Sequence, residues 1–238
     1  MKTKNMLLSA LAALVPASLI AVPAVAQEGQ SPQGQVKDAA ASKTRLGAPL
    51  TFSVEGLTKD NIERVARSLT SLTENVYVCA QCMHEEARPG RCIPCNVDLE
   101  AKKRPILSAA VPSLQDANIR LTPFAARTLR YSDLLRTLKT DSVELDSAKF
   151  PLAGEARLVL RGGSSEDAKA IDTALEDSKL FDTVNARYDV ASAEIQVVVH
   201  ANATPPMHDQ VVAVIDALET KATLADVIWG PLPIPAKT

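Results

Sequence analysis

Four cysteines, all that the chain contains, stand in one short stretch as two C-x-x-C pairs: Cys79 with Cys82, and Cys92 with Cys95. Nine residues separate the pairs, and Pro89-Gly90 precedes the second. Thiolates are soft ligands, and two tight turns that bring four of them together form the tetrahedral sulfur cage that zinc prefers. The surrounding residues 77–99 offer few sizeable apolar side chains, Tyr77, Ile93, Val97 and Leu99 among them. That is too little for a core, and a bound ion can replace it. Structural zinc supplies ~10–16 kcal/mol of apparent binding free energy in small peptides at neutral pH. The pattern therefore predicts a Zn2+ site made by Cys79, Cys82, Cys92 and Cys95. Other chemistries fit the same residues. Four cysteines can form two disulfides in three connectivities, or a labile sensor or delivery site for copper or another heavy metal. Thiol oxidoreductase chemistry is a further alternative, but a redox C-x-x-C usually sits at a helix N-terminus that lowers the thiol pKa. These pairs read as turns.

The other chemically capable side chains have plainer readings. His84 lies two residues past Cys82, but the four thiolates already complete a tetrahedral set, so it reads as a solvated loop residue. His200 ends a strand on its polar face. Met207-His208 opens a helix, where Met207 packs. Glu85-Glu86 and Lys102-Lys103-Arg104 flank the cysteines with opposite charge and read as solvated faces. No Ser/His/Asp set, paired acid and base carboxylates, phosphate-binding glycine loop or H-E-x-x-H motif is present, so no enzymatic activity is expected.

The chain that must position the cysteines is 238 residues long with a formal net charge of -2, so nothing in its charge balance points to nucleic acid. Lys2 and Lys4 precede an apolar run that ends in Ala24-Val25-Ala26, the layout of a signal peptide over 1–26 cut after Ala26. An uncleaved anchor is the rival reading, against which Pro16 and Pro23 interrupt the run. No second stretch approaches the ~20 apolar residues of a membrane helix. The expectation is an exported chain, in a bacterial periplasm, with no membrane span after cleavage and with an unknown protein partner. Residues 27–47 read as a flexible linker rich in Gln, Ser, Gly and Ala.

From Leu50 the hydrophobic pattern sharpens. Leu50, Phe52 and Val54 alternate with polar residues as a strand, and Gly56 ends it. Thr58 is placed to cap a helix carrying Ile62, Val65, Leu69 and Leu72. Strands follow over 105–111 and 118–124, then a helix capped by Ser132 and a strand over 143–146. The order repeats after Gly154. Ala156, Leu158 and Leu160 form a strand, and Ser164 with Asp167 forms a capping box before Ile171 and Leu175. A hairpin pairs 184–190 with 195–199, Pro205-Pro206 starts a helix, and 224–229 closes the repeat. The reading is an α+β chain of two ferredoxin-like βαββαβ units in tandem, over 48–153 and 154–230. The cysteine ribbon is inserted in the first at 76–100, and a Pro-rich tail covers 231–238.

Two short motifs resemble known families. Val54-Glu55-Gly56-Leu57-Thr58 resembles the first loop of heavy-metal-associated domains, the copper-carrying modules of copper chaperones and copper-pumping ATPases, which reads V-x-G-M-T-C-x-x-C. Here Leu57 stands at the methionine position, and Lys59 and Ile62 stand at the two cysteine positions. The resemblance implies that family's scaffold without its metal loop, since neither side chain is a soft ligand. The cysteine stretch resembles the small heavy-metal-binding ribbon of copper efflux adaptors and copper ATPases, roughly Y-x-C-P-M-H followed by P-G-x-C-P-x-C-G-M-x-L. Tyr77, Cys79, Pro89-Gly90, Cys92, Cys95 and Leu99 keep the frame, with Pro94 one position later than the family's proline. Cys82 takes the histidine position, Gln81 and Val97 replace the methionines, and Asn96 replaces the glycine. These changes remove thioethers and complete an all-thiolate set, which implies a zinc-type ion.

Overall fold

The computed structural model describes residues 45–146 and 149–230. The expected signal peptide, nearly all of the linker and the Pro-rich tail lie outside the described residues. What is described is a mixed α+β arrangement with antiparallel sheets and four helices. Among the described residues no helix is long and apolar enough to cross a membrane.

The first sheet contains β1 (Leu50–Glu55), β7 (Leu107–Ser113), β8 (Asn118–Pro123) and β10 (Glu144–Leu145), in the order β10-β1-β8-β7. Phe52 pairs with Ile119 and Leu50 with Leu121, so the apolar positions of neighbouring strands share one face. Helices α1 (Ile62–Thr70) and α2 (Tyr131–Thr140) bury Val65 and Leu69, and Leu134 and Leu138, in the same core. The second sheet has β11 (Glu155–Arg161), β12 (Phe181–Asp189), β13 (Glu194–Ala201) and β14 (Thr223–Trp229), in the order β12-β13-β11-β14. Its helices are α3 (Ser165–Asp177) and α4 (His208–Asp216). Each sheet thus places the fourth strand, the first, the third and the second side by side.

Two glycines mark equivalent points in the two sheets. Gly56, leaving β1, has φ +81, and a Cβ there would lie 2.6 Å from the Ser142 carbonyl oxygen. Gly162, leaving β11, has φ +83, and a Cβ there would lie 2.7 Å from the Lys221 carbonyl oxygen. In both cases the exit of the first strand is pressed against the loop entering the fourth. Only a residue without a side chain accepts both the dihedral and the approach.

The sheets are not separate bodies. A short strand, β9 (Leu129–Arg130), pairs with the edge of the second sheet, Leu129 opposite Trp229 and Arg130 opposite Ile228. Ring centroids of Phe52 and Trp229 are 5.5 Å apart in an edge-on contact, and Phe150 lies 5.5 Å from Phe52 and 6.0 Å from Trp229. The buried side chains of both sheets form one continuous core.

The helix starts correct three sequence expectations. Ser164 and Asp167 do form a capping box. The first helix, however, begins at Ile62, with Thr58 one turn earlier, where its hydroxyl accepts from the Asn61 N–H at 3.3 Å. Ser132 lies inside α2, held by Asp226 of β14 through its N–H at 3.0 Å and its hydroxyl at 2.9 Å. A tertiary partner has taken the polar group that local sequence offers as a cap. The last helix begins at His208, after Met207 rather than at the two prolines.

Candidate metal centre

A second antiparallel excursion carries the cysteines. β2 (Thr73–Val78) and β6 (Glu100–Pro105) pair along their whole length, from Thr73 opposite Pro105 to Val78 opposite Glu100. β3 (Glu85–Glu86) adds to the free side of β2, and β4 (Arg91–Cys92) pairs with β5 (Val97–Asp98) beyond. The paired strands make this arm longer than the cysteine stretch alone. Pro105 belongs to its returning strand, and β7 starts only at Leu107.

Both C-x-x-C pairs fold into the same turn. The Met83 N–H donates to the Cys79 carbonyl at 2.9 Å, and the Asn96 N–H donates to the Cys92 carbonyl at 2.7 Å. Met83 and Asn96 each have positive φ, 60° and 54°. Asparagine tolerates that region well, whereas for methionine it is strained. Cys79 and Cys92, the first of each pair, are buried; Cys82 is exposed and Cys95 is half-buried. The four sulfurs lie within 4.8 Å of one another, with Cys82 Sγ 3.5 Å from Cys92 Sγ. All four cysteines are free thiols. Four sulfurs at this spacing can hold a metal ion.

Electrostatics inside the cage are uneven. The backbone N–H of Cys82 stabilises the Cys79 thiolate and holds that thiol down at about 6. Hydrogen bonding with the Cys82 sulfur, with burial and the other thiols adding to it, pushes the Cys95 thiol up to about 12. The first proton leaves easily and the last is retained, because sulfurs this close cannot all carry negative charge without a cation among them.

His84 stands outside the sulfur group. Its Nε2 is 2.6 Å from Glu86 Oε1, and its carbonyl accepts from the Cys79 N–H at 2.9 Å. His200 Nε2 lies 3.7 Å from Glu155 on the second sheet. His208 packs against Phe150 in a tilted contact, with centroids 4.6 Å apart. None of the cysteines is at a helix N-terminus; both pairs lie on turns between strands.

The flanking charges are not simply solvated, which corrects the expectation for Glu85 and Arg104. Glu85 is 12% exposed, and its carboxylate accepts from Arg127 Nη2 at 2.7 Å and from Arg104 Nε at 3.3 Å. Arg127, whose side chain is 10% exposed, also lies 3.6 Å from Glu74, and Glu74 accepts from the Thr128 N–H at 3.1 Å. Burial pushes the Glu74 carboxyl above its ordinary range, and the Thr128 N–H works in the opposite direction. This cluster fastens the foot of the arm to the loop before β9. Nothing local in the sequence reveals it, since Glu74 and Glu85 meet Arg127 across 53 and 42 residues.

Comparisons of the chain with protein-family models, with curated proteins and with solved structures find no match.

Proposed function

We propose that this is an exported, non-enzymatic metal-binding protein that holds Zn2+ through Cys79, Cys82, Cys92 and Cys95 at the end of a β arm. The observation that carries the reading is the grouping of four free thiols within 4.8 Å on two equivalent turns. Four sulfurs around one zinc at ~2.3 Å stand about 3.8 Å apart, and the sulfurs here span that spacing. The residues fit the ion. The arm also needs one, because β6 exposes nearly every residue and contributes almost no core.

Under this proposal the rest of the chain is a scaffold for an unidentified protein partner. The strand order 4-1-3-2 in each sheet, with two helices apiece, supports assigning both to the ferredoxin-like arrangement. The V-x-G-L-T loop supports descent from a heavy-metal-associated scaffold whose own ligand loop has been replaced. The basic and apolar leader supports export to a periplasm.

A second reading, a carrier or sensor for copper or another heavy metal, draws on the exposure of Cys82 and the partial exposure of Cys95. A cage open on one side can hand its ion to another thiol. Native intact-mass measurement of the purified protein, with a count of free thiols, decides between the outcomes. One zinc with four reduced thiols is expected. Two disulfides and no metal would sink the proposal, and rapid replacement of zinc by Cu(I) without change in folding would favour the carrier.

A further inference from the structure

The arm's metal-binding turns and its anchoring cluster share one segment. Glu85 stands three residues past Cys82 and enters β3, whose hold on β2 consists of two residue pairs, Tyr77 with Glu86 and Val78 with Glu85. So short a strand does not fix its own position; the turn before it does. From there the Glu85 carboxylate reaches Arg127 at 2.7 Å. On its other side the Arg127 backbone is pressed against the second sheet. A Cβ on Gly230 would lie 2.1 Å from the Arg127 carbonyl oxygen, and the next strand, β9, pairs with Trp229 and Ile228. A cavity of about 330 Å³ opens at this junction, walled by Arg127, Leu50, Phe124 and Trp229 among others.

We propose that Arg127 is a positioning residue for the metal centre: through Glu85 it couples ion binding at the four cysteines to residues 125–130 and the cavity beside Trp229. The inference rests on the metal-binding reading above. An ion in the cage fixes the first turn and keeps Glu85 against Arg127. Without it the turn loosens, Glu85 moves away, and a nearly buried guanidinium is left with Glu74 at 3.6 Å and the Ala126 carbonyl at 3.5 Å. Removing the nearest partner of a buried charge is costly, so the metal-free protein disfavours the present arrangement of 125–130. Such coupling is reciprocal, and whatever the ion does to the ion pair, the ion pair does to the affinity for the ion.

The test titrates Zn2+ into the purified protein against a chromophoric chelator while following emission from Trp229, the single tryptophan of the chain. Glu85→Gln and Arg127→Gln should each weaken zinc binding roughly tenfold, inside the 5–150-fold range common for coupled sites. The double variant should be little worse than either, because the two act as a unit. Emission of the unaltered protein should shift on loading, and the shift should vanish in both variants. Arg161→Gln removes an exposed pair with Glu194 on the second sheet and should change neither quantity. Amide exchange on the unaltered protein gives a readout independent of any variant: protection over 125–130 should rise with zinc. Wild-type affinity in both variants, or exchange over 125–130 that ignores zinc, overturns the coupling while leaving the metal centre standing. Failure of the unaltered protein to bind Zn2+ overturns the metal-binding reading and the coupling with it.

Discussion

In the second sheet three residues, 178–180, join helix α3 to strand β12; in the first, residues 71–106 make the same connection from α1 to β7. The two solutions rest on different physics. β13, at the heart of the second sheet, buries Ile195, Val197 and Val199 completely, and Ile171 and Leu175 of α3 close over the same core. In the arm, β6 reads Glu-Ala-Lys-Lys-Arg-Pro and leaves nearly all of it in solvent. The first region is held by apolar burial spread over many side chains. The second buries little beyond Val76, Val78, Cys79 and Cys92, and under the metal-binding proposal an ion among the sulfurs and the Glu74–Glu85–Arg127 cluster make up the difference.

That contrast can be broken most severely at the sulfurs. Chelation, or the pair Cys79→Ser and Cys92→Ser, should remove a contribution on the order of 10 kcal/mol from the arm. Amide exchange over β2 and β6 should then accelerate by orders of magnitude while β11 and β13 stay protected. Loss of the whole fold would show that the arm and the body are one cooperative unit. The converse perturbation is Phe150→Ala, which empties a fully buried site against Phe52, Tyr131 and Trp229. It should cost about 3–5 kcal/mol in denaturant unfolding of the body, with zinc stoichiometry unchanged at temperatures where the body stays folded.

Smaller changes sharpen the comparison. Ser164→Ala removes the cap of α3 and should lower stability by about 1 kcal/mol, read as a shift of the melting midpoint. Met83→Asn copies the second turn's left-handed residue into the first, where methionine sits at φ 60°. It should strengthen zinc binding by a few tenths of a kcal/mol, measurable by competition with a chelator, and no gain would mean that Met83 repays its strain through its own contacts.

What the sequence makes legible follows the same division. Alternation at Leu50, Phe52 and Val54, and the Ser164–Asp167 cap, are local patterns that burial and backbone hydrogen bonding impose, so strands and helices of the body can be read from them. The cage is legible too, because thiolate spacing is a chemical constraint within a few residues. The strands of the arm are not. Glu100–Pro105 faces solvent so widely that no apolar alternation marks it, and Thr73–Val78 buries only Val76 and Val78 at its far end, too short an alternation to mark a paired strand. The pairing of β9 with β14 and the meeting of Glu74, Glu85 and Arg127 depend on chain segments far apart in sequence, and a charged side chain carries no local mark of its distant partner. Ser132 is misleading for the same reason, since Asp226 lies 94 residues away.

The arm leaves and re-enters the body at one point: the Ile106 N–H donates to the Leu72 carbonyl at 3.0 Å, and Thr73 pairs with Pro105. With its ends already stitched together, it is a self-contained cassette. Excising residues 73–105 and bridging the gap with a short turn should leave the first sheet closed, provided Arg127 is replaced by an uncharged residue so that no guanidinium is stranded. Circular dichroism and a cooperative melt of the shortened chain would test this. Transplanted onto another hairpin whose strands end equally close, the same segment would carry its sulfurs with it but leave its anchor behind.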